Sequence, residues 1–141
     1  MNISFYLIPK SEVCYIHEED TVGHALRTIR EKGFSAVPVI NKDGEYRGTV
    51  TEGDFLWALT QDYQTDYESM KKTSVMRLRK KWDYKPVSID ARISELDEYI
   101  INQNFVPVVD SRGIFIGIIT RKVILTELLN KQKEGQEDKA S

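Results

Sequence analysis

The segment Thr51-Glu52-Gly53-Asp54 follows an apolar run and precedes residues with helical spacing, so it is expected to open a helix. The first turn of a helix has free N–H groups and the positive end of the helix dipole, which suit an anionic oxygen. A carboxylate such as that of Asp54 can accept hydrogen bonds from two adjacent hydroxyls, which suits a ribose. The same Thr-x-x-Asp spacing is close to a capping box, which only starts a helix. The residues therefore leave a ligand site and a helix cap both open.

A second segment, Thr120-Arg121-Lys122-Val123, keeps the threonine and lacks the aspartate. It places two cations in the first turn of a helix, where the dipole disfavours each positive charge by about 0.3–1 kcal/mol. A bound anion removes that penalty, and arginine can bind a phosphodiester through two parallel hydrogen bonds. Arg121 is therefore a candidate phosphate ligand. The alternative is that both cations point into water.

The hairpin before the first of these segments determines where its side chains lie. Val37–Ile40 is a short apolar run and Tyr46–Thr51 is an apolar and small run, so both are predicted strands. The turn between them contains Gly44, which can adopt a positive φ. In the helix that follows, the residues expected to face the core are Phe55, Leu56 and Leu59.

A strand and a helix precede this hairpin. Val13–Ile16 is a candidate strand, and residues 22–29 have the i, i+3, i+4, i+7 apolar spacing of a helix. Asp20 or Thr21 is placed to cap this helix and Gly33 to end it. The expected order of elements is strand, helix, strand, strand, helix.

The same order is repeated in the second half of the chain. Thr51 and Thr120 are 69 positions apart, and this offset holds through both hairpins. Val22 and Ile93 are 71 apart, so the second copy lacks two residues at the exit of its first helix. Two copies are an internal duplication rather than a solenoid, which needs about three or more repeats. The second copy predicts a helix through Ile93, Leu96 and Ile100, and a last helix with Ile124, Leu125, Leu128 and Leu129 inward.

Composition and charge exclude several classes of protein. The 141 residues suffice for one compact domain or for two small halves that share a core. No apolar run approaches the ~20 residues of a membrane-spanning helix, so no membrane contact is expected. The single cysteine, Cys14, rules out an internal disulfide framework and fits a reducing, cytoplasmic compartment. The net charge of −2 argues against a general nucleic-acid binder.

A basic stretch, Lys71–Lys85, contrasts with the acidic chain around it, since it holds seven cations and one anion. Such a stretch indicates a local anionic partner. Residues 77–82 within it leave two interpretations open: they close over phosphates or bind an acidic protein face, or they form a solvated surface. Some helix is expected around Tyr67–Leu78.

The sequence contains no motif for catalysis. His17 and His24 are seven positions apart, without the cysteine or carboxylate spacing of a metal site. A Gly-x-Ser-x-Gly elbow, a Walker loop and a Gly-x-Gly-x-x-Gly are all absent. The sequence therefore predicts a protein that is not an enzyme and holds no metal or cofactor.

The duplicated order, with Pro-Val-h-(Asp/Asn)…Gly…Gly-h-h-Thr in each hairpin, resembles the cystathionine-β-synthase (CBS) domain pair, or Bateman module. The resemblance covers about Pro9–Asn130, and only the first copy completes the pattern with Asp54. It implies a mixed α/β (α+β) fold of two β-α-β-β-α units packed around a pseudo-two-fold axis. The opening Phe-Tyr-Leu-Ile-Pro and the late Gly-Ile-Ile-Thr-Arg-Lys-Val-Ile-Leu-Thr-Glu-Leu also resemble small stand-alone CBS proteins of Gram-positive bacteria that bind cyclic di-AMP.

In the CBS family, paired domains commonly bind AMP, ADP, ATP, S-adenosylmethionine or cyclic dinucleotides in their clefts, and many copies bind nothing. The resemblance implies that Thr51 and Thr120 contact ribose or phosphate and that Asp54 holds the ribose hydroxyls. Phe105 either stacks on a base or plugs the pocket. The nucleotide-binding residues expected in this way are Ile16, Ser35, Ala36, Val37, Pro38, Thr51, Asp54, Val87, Phe105, Val106, Pro107, Thr120 and Arg121. Ordinary core packing is the alternative for the apolar ones.

By this resemblance we expect a non-catalytic, cytoplasmic homodimer that senses AMP, ADP, ATP or cyclic di-AMP and relays its occupancy to a regulated protein. The alternative is a CBS pair that binds no nucleotide and serves as a dimerisation or protein-docking module. The expected division of the chain is an arm and first repeat over residues 1–62, a basic connector over 63–85, a second repeat over 86–130 and a disordered tail over 131–141.

Overall fold

The computed structural model describes residues 2–62, 67–78 and 83–140, which form seven strands and four α-helices. The strands are β1 (Ile8–Pro9), β2 (Ile16–His17), β3 (Ala36–Ile40), β4 (Tyr46–Thr51), β5 (Val87–Ser88), β6 (Phe105–Val109) and β7 (Phe115–Thr120). The helices are α1 (Val22–Lys32), α2 (Glu52–Trp57), α3 (Tyr67–Lys71) and α4 (Arg121–Ala140). Short 3₁₀ turns connect several elements, and a π-helical turn, Ala58–Asp62, follows α2. The predicted mixed α/β class is confirmed.

The chain divides into two compact units. The repeat-1 unit is Cys14–Tyr84. The repeat-2 unit combines Met1–Val13 with Lys85–Ser141. The amino-terminal arm, which the sequence groups with the first repeat, therefore belongs to the compact unit of the second.

The repeat-1 unit contains a three-stranded sheet with the order β2-β3-β4. Strand β2 runs parallel to β3, and β3 and β4 form the predicted antiparallel hairpin. At its turn the Asn41 side chain accepts hydrogen bonds from the N–H groups of Asp43 and Glu45, and Gly44 has φ 86°. The core on this sheet is formed by Ile16, Val22, Ala25, Ile29, Val37, Val39, Val50, Phe55, Ala58, Met70, Val75 and Leu78.

Helix α1 begins and ends where its sequence predicts. The Thr21 hydroxyl accepts a hydrogen bond from the N–H of His24 at 3.1 Å, which satisfies one free donor of the first turn. Gly33 adopts the left-handed conformation with φ 73°, and its N–H donates to the Ile29 carbonyl at 2.9 Å. Of the apolar stripe predicted for the helix, Val22, Ala25 and Ile29 are buried in the core, and Leu26 is partly buried against it.

The repeat-2 unit contains a four-stranded sheet with the order β1-β7-β6-β5. Strand β1 from the arm pairs antiparallel with β7, where Pro9 lies opposite Gly117. The core on this sheet is formed by Ile3, Val87, Ile93, Leu96, Val106, Val108, Ile119 and Ile124.

The two hairpins have the same register. Val39 lies opposite Gly48 in one unit, and Val108 lies opposite Gly117 in the other. A register shift follows at the next residue of β3 and of β6. The internal duplication predicted from the sequence is therefore confirmed at the level of strand pairing.

The duplication also extends upstream, into the segments that precede the repeats. The N–H of Ile3 donates to the Ala91 carbonyl at 3.4 Å, and the N–H of Val75 donates to the Asp20 carbonyl at 2.9 Å. Ile3 and Val75 are both fully buried. Each leading segment thus packs within the unit of the repeat that it does not directly precede. The packing of the two units around a pseudo-two-fold axis stays a prediction.

The helix expected around Leu96 in the second repeat is not formed. Two 3₁₀ turns, Ile93–Glu95 and Tyr99–Ile101, take its place. The side chain of Arg92 makes no capping hydrogen bond, whereas Thr21 caps the equivalent helix α1. The second copy therefore lacks both a cap and the two residues that its first helix would need. Leu96 is nevertheless fully buried.

Helices α2 and α4 bury narrower faces than their sequences predict. The predicted inward residues that the structure leaves exposed are Leu56, Leu59, Leu125 and Leu129. In α2 and the turn after it, Phe55 faces the core as predicted, and Ala58 is buried where Leu56 and Leu59 are not. Each helix contacts the sheet of its own unit along one side only, so the apolar residues next to that side remain exposed.

The carboxyl-terminal residues 131–140, for which composition predicts a disordered tail, have helical backbone at the end of α4. Lysine, glutamine, glutamate and alanine are strong helix formers, and they make up most of this segment. Because extending an existing helix needs no new nucleus, residues of this composition can continue α4 even without an apolar face.

The connector contains the helix predicted around Tyr67–Leu78, as α3 and a 3₁₀ turn at Val75–Arg77. Of the basic run at residues 77–82, residues 79–82 lie outside the described part of the chain. None of the described helices is long and apolar enough to cross a membrane.

Candidate functional site

Thr51 and Asp54 form a complete capping box at the start of α2. The Asp54 N–H donates to the Thr51 hydroxyl at 3.2 Å, and the Thr51 N–H donates to Oδ2 of Asp54 at 2.9 Å. Asp54 is only 4% exposed. The pair therefore forms the helix cap that was one of the two interpretations of the sequence. The ribose-binding role of Asp54 stays a prediction.

The residues beside this helix start come from the beginning of β3. Ala36 pairs with Thr51, and the Ser35 carbonyl accepts a hydrogen bond from the N–H of Glu52 at 2.9 Å. Ser35 is exposed, whereas Ala36 is almost buried. The fold thus brings Ser35, Ala36 and Thr51 to one edge of the repeat-1 sheet.

The second repeat has the same backbone arrangement with different side chains. Phe105 pairs with Thr120, and the Asn104 carbonyl accepts a hydrogen bond from the N–H of Arg121 at 3.0 Å. The Thr120 hydroxyl accepts from the N–H of Val123 at 3.3 Å. Because valine stands at the aspartate position, the reciprocal bond of a capping box is missing here.

Arg121 is held in place at the start of α4. Its Nε donates to the Gln103 carbonyl oxygen at 3.0 Å, and its side chain is half-buried. It makes no other side-chain hydrogen bond or ion pair among the described residues, so its terminal nitrogens keep their donors. Lys122, the neighbouring cation, is exposed to solvent. The two cations therefore differ, and only Arg121 is positioned by the fold.

Gln103 is a buried polar residue that the sequence analysis missed. Its Nε2 donates to the carbonyls of Lys85 at 3.3 Å and Phe105 at 3.2 Å, and its Oε1 accepts from the N–H of Lys85 at 3.0 Å. Gln103 therefore attaches Lys85, two residues before β5, to the start of β6, next to Arg121. The clue in the sequence is that, when the two repeats are aligned, Gln103 takes the position that Phe34 has in the first repeat.

Tyr46 holds the carboxyl end of the repeat-1 unit. Its hydroxyl donates to the Tyr84 carbonyl at 2.6 Å and lies 2.7 Å from Oγ1 of Thr49, which is fully buried. Since the phenolic proton points to Tyr84, the Thr49 hydroxyl is the donor to Tyr46. Burial raises the pKa of the Tyr46 phenol, so the ring stays neutral at physiological pH.

Cys14 and His24 are two further side chains with potentially reactive groups in the described part of the chain. Burial raises the pKa of the Cys14 thiol, which disfavours the nucleophilic thiolate. The imidazole of His24 lies 3.8 Å from Asp20 on the exposed side of α1. Within residues 2–62, 67–78 and 83–140, no three His, Cys, Asp or Glu side chains group as metal ligands.

Comparison with known proteins identifies the duplicated unit. The family model of the CBS domain matches residues 7–61 and 76–130. The chain belongs to the CBS domain family. It is therefore a CBS pair, and both matches start within the leading segments that contribute to the two compact units.

Several relatives of this CBS pair share most of its length. Cyclic di-AMP receptor B of Bacillus subtilis (strain 168) is 24% identical over 123 residues, which cover 87% of this chain and 83% of that protein. A crystal structure of CbpB in complex with c-di-AMP is 28% identical, with a TM-score of 0.77, and the match covers 98% of this chain and 91% of that one. A crystal structure of CBSX2 in complex with AMP shares the fold at 21% identity, with a TM-score of 0.74 and coverage of 93% and 98%.

The remaining predicted residues of the two CBS domains lie in strands. Ile16, Val37 and Pro38 are buried in the first CBS domain, and Val87, Phe105, Val106 and Pro107 are buried in the second. Ile16, Val37, Val87 and Val106 belong to the two hydrophobic cores. Their positions agree with core packing, and contacts with a nucleotide base stay a prediction for all of them.

Proposed function

We propose that this CBS pair is a non-catalytic regulatory module that binds cyclic di-AMP and relays its occupancy to a partner protein. Cyclic di-AMP joins two adenosines through two phosphodiesters. It therefore needs a group that binds phosphate near groups that accept ribose and adenine. The relatives named above support a nucleotide as ligand, since one is a cyclic di-AMP receptor and another was crystallised with c-di-AMP.

The observation that carries the proposal is the position of Arg121. A helix start with an arginine in its first turn is electrostatically unfavourable unless an anion is bound. Here the guanidinium is held by the Gln103 carbonyl instead of extending into water, and its terminal nitrogens keep their donors. Such an arginine is arranged for bidentate binding of a phosphodiester.

Two other functions have support from specific observations. A mononucleotide such as AMP, ADP or ATP is favoured by Asp54, whose carboxylate at the start of α2 suits a ribose. A nucleotide-free docking or dimerisation module is favoured by the capping box, because Asp54 then has a purely structural role. We expect the protein to be a cytoplasmic homodimer in each case.

Thermal unfolding with a panel of ligands separates these functions. The panel is AMP, ADP, ATP, S-adenosylmethionine and cyclic di-AMP at equal concentrations, with protein stripped of bound nucleotide. A ligand at 100 times its Kd stabilises the fold by about 2.7 kcal/mol, which raises the Tm by several degrees. We expect this shift with cyclic di-AMP.

Arg121→Ala and Lys122→Ala form a matched pair for this experiment, since both remove one cation from the first turn of α4. We expect Arg121→Ala to lose most of the shift and Lys122→Ala to keep it. If both variants lose the Tm shift to the same extent, Arg121 has no specific role in binding the phosphate. A panel without any shift would leave the docking module as the function.

A further inference from the structure

The repeat-1 unit has a concave surface that reaches Glu52, the residue next to Thr51 of the strand edge described above. It is a groove of about 580 Å³ between α1, α3 and the first residue of α2. The residues on its floor and walls include Gly23, Leu26, Arg27, Ile29, Arg30 and Tyr67. Its volume falls in the range of sites that bind ligands or partner side chains.

The walls of this α1–α3 groove are basic. Arg27 and Arg30 lie one turn apart on α1, and both are exposed. Neither forms an ion pair or side-chain hydrogen bond with any of the described residues. Lys71 lines the opposite wall, where its Nζ is 3.1 Å from Glu68 and 5.0 Å from the centre of the Tyr67 ring. Of the cations that line the groove, these two arginines have no counter-charge among the described residues.

The floor of the groove is apolar and its shape is set by a glycine. Leu26 and the buried Ile29 lie along it. A Cβ at Gly23 would come within 3.1 Å of the Lys71 carbonyl oxygen, so a larger residue would push α3 away from α1. Helices α1 and α3 therefore approach closely at Gly23, which also lines the groove.

The chemistry of the groove disfavours a phosphate and favours a protein segment. It runs along α1 to Gly33, where the carbonyl end of the helix repels anions, and the carboxylate of Glu52 also lines it. A compact phosphate in the groove would lie close to the carbonyl end of α1 and to the Glu52 carboxylate, and both would repel it. A peptide can place apolar side chains on Leu26 and Ile29, direct separate carboxylates to the arginines and offer N–H donors to Glu52.

We propose that the α1–α3 groove docks an acidic amphipathic segment of a partner protein, with its apolar side chains on the floor and its carboxylates on Arg27 and Arg30. Arginine and tyrosine on the rim of an apolar floor are typical of protein interfaces. This inference names the output surface of the regulatory module and in that respect rests on the proposed function. The peptide binding itself does not depend on a nucleotide.

Selection of short random peptides displayed on phage tests the proposal with the full chain. The wild-type protein is the target, and the Arg27→Glu/Arg30→Glu variant is the counter-target that removes peptides bound elsewhere. We expect enriched peptides to combine several Asp or Glu residues with apolar residues at helical spacing. Their affinity should fall by at least about tenfold in the variant. The matched control is Lys42→Glu/Lys131→Glu, which makes the same change of net charge at two exposed sites outside the groove and should bind like wild type.

Three results would overturn the proposal. The first is that no enriched peptide distinguishes wild type from the Arg27→Glu/Arg30→Glu variant, or that the enriched peptides are not acidic. The second is that the variant changes the oligomeric state in light scattering, which would assign the groove to a second copy of the chain. The third is that inorganic pyrophosphate alone raises the Tm of wild type but not of the variant, which would assign the groove to a small anion.

The cyclic di-AMP shift, measured on the same variant, separates this inference from the proposed function. We expect the variant to keep that shift, because both arginines are on α1 and neither is among the residues proposed to bind the nucleotide. Peptide docking without any nucleotide shift would leave the groove in place and remove the sensor function. A Tm shift with cyclic di-AMP but no peptide docking would support the sensor function and remove the docking groove.

Discussion

Gly117 of β7 packs directly against the carbonyl group of Ile8 in β1. A Cβ at this position would collide with the Ile8 carbonyl oxygen and lie 2.8 Å from Cδ1 of Leu7. The absence of a side chain lets the amino-terminal arm join the sheet of the repeat-2 unit as a fourth strand. A glycine in the second hairpin therefore decides where the first residues of the chain are held.

We expect Gly117→Ala to lower the free energy of unfolding by about 1–3 kcal/mol, since backbone rather than a flexible side chain blocks the new methyl group. Urea denaturation measures this change. Gly53→Ala is the control, because a Cβ there would meet only the Thr51 hydroxyl at 3.6 Å and alanine favours helix. The close packing would be contradicted if Gly117→Ala were as stable as Gly53→Ala.

The capping box predicts two separable effects at Asp54. Asp54→Ala removes the acceptor of the Thr51 N–H, so we expect a loss of about 0.5–2 kcal/mol in the free energy of unfolding. Asp54→Asn keeps an oxygen acceptor and should lose less. Chemical denaturation of the two variants, with wild type beside them, measures the difference.

The same two variants test the ribose interpretation. A carboxamide has only one oxygen to accept from a pair of hydroxyls. If Asp54 binds ribose, Asp54→Asn should weaken nucleotide binding in calorimetry while the fold keeps most of its stability. Unchanged affinity in Asp54→Asn would leave Asp54 with the helix cap alone.

Tyr46 should make the stability of the protein depend on pH in the alkaline range. Burial raises the pKa of this phenol in the folded protein, so the unfolded chain loses the proton first as the pH rises. The free energy of unfolding is therefore insensitive to this group below about pH 10 and falls above it. In Tyr46→Phe the fall should be smaller, and stability at neutral pH should drop by about 1–2 kcal/mol because Thr49 and Tyr84 lose a partner.

Urea denaturation between about pH 8 and pH 11 measures both effects. Tyr67→Phe is the control, since it removes a hydroxyl from an exposed ring in α3. An equal alkaline slope in wild type and Tyr46→Phe would show that the buried phenol does not contribute.

Gln103→Leu should destabilise the repeat-2 unit by about 1–3 kcal/mol, because the buried carbonyl of Phe105 and the partly buried backbone groups of Lys85 lose their side-chain partner. The exposed neighbour Asn102→Ala should stay within about 0.5 kcal/mol of wild type. Arg121 bonds to the backbone of Gln103, so cyclic di-AMP should protect Gln103→Leu better than Arg121→Ala. The reverse order would mean that the Gln103 side chain, and not its carbonyl, positions the ligand site.

Much of the fold could be predicted because its determinants are close together in the sequence. Thr21 and Gly33 delimit α1 through local capping geometry, and the turn at Gly44 joins two apolar runs. The second hairpin could be predicted from the duplication alone, because its residues repeat those of the first hairpin at a constant offset. In the candidate site, the neighbourhood of Thr120 and Arg121 followed from the same local pattern.

Other features could not be predicted, because they depend on which residue fills the space opposite. Leu125 lies next to the buried Ile124 on α4 and is 48% exposed. Gln103 looks like an ordinary polar residue until its partners Lys85 and Phe105 are known.

The sequence by itself determined the duplicated hairpins, the capped helix α1 and the family, since turn chemistry, capping and apolar period act over a few residues. The tertiary structure decided that Ile3 and Val75 each pack within the unit of the other repeat, that Arg121 is held by Gln103, and that Arg27 and Arg30 border an apolar groove. These relationships join residues far apart in the chain. Local spacing determines which side chains share a face, and only the packed elements determine what that face meets.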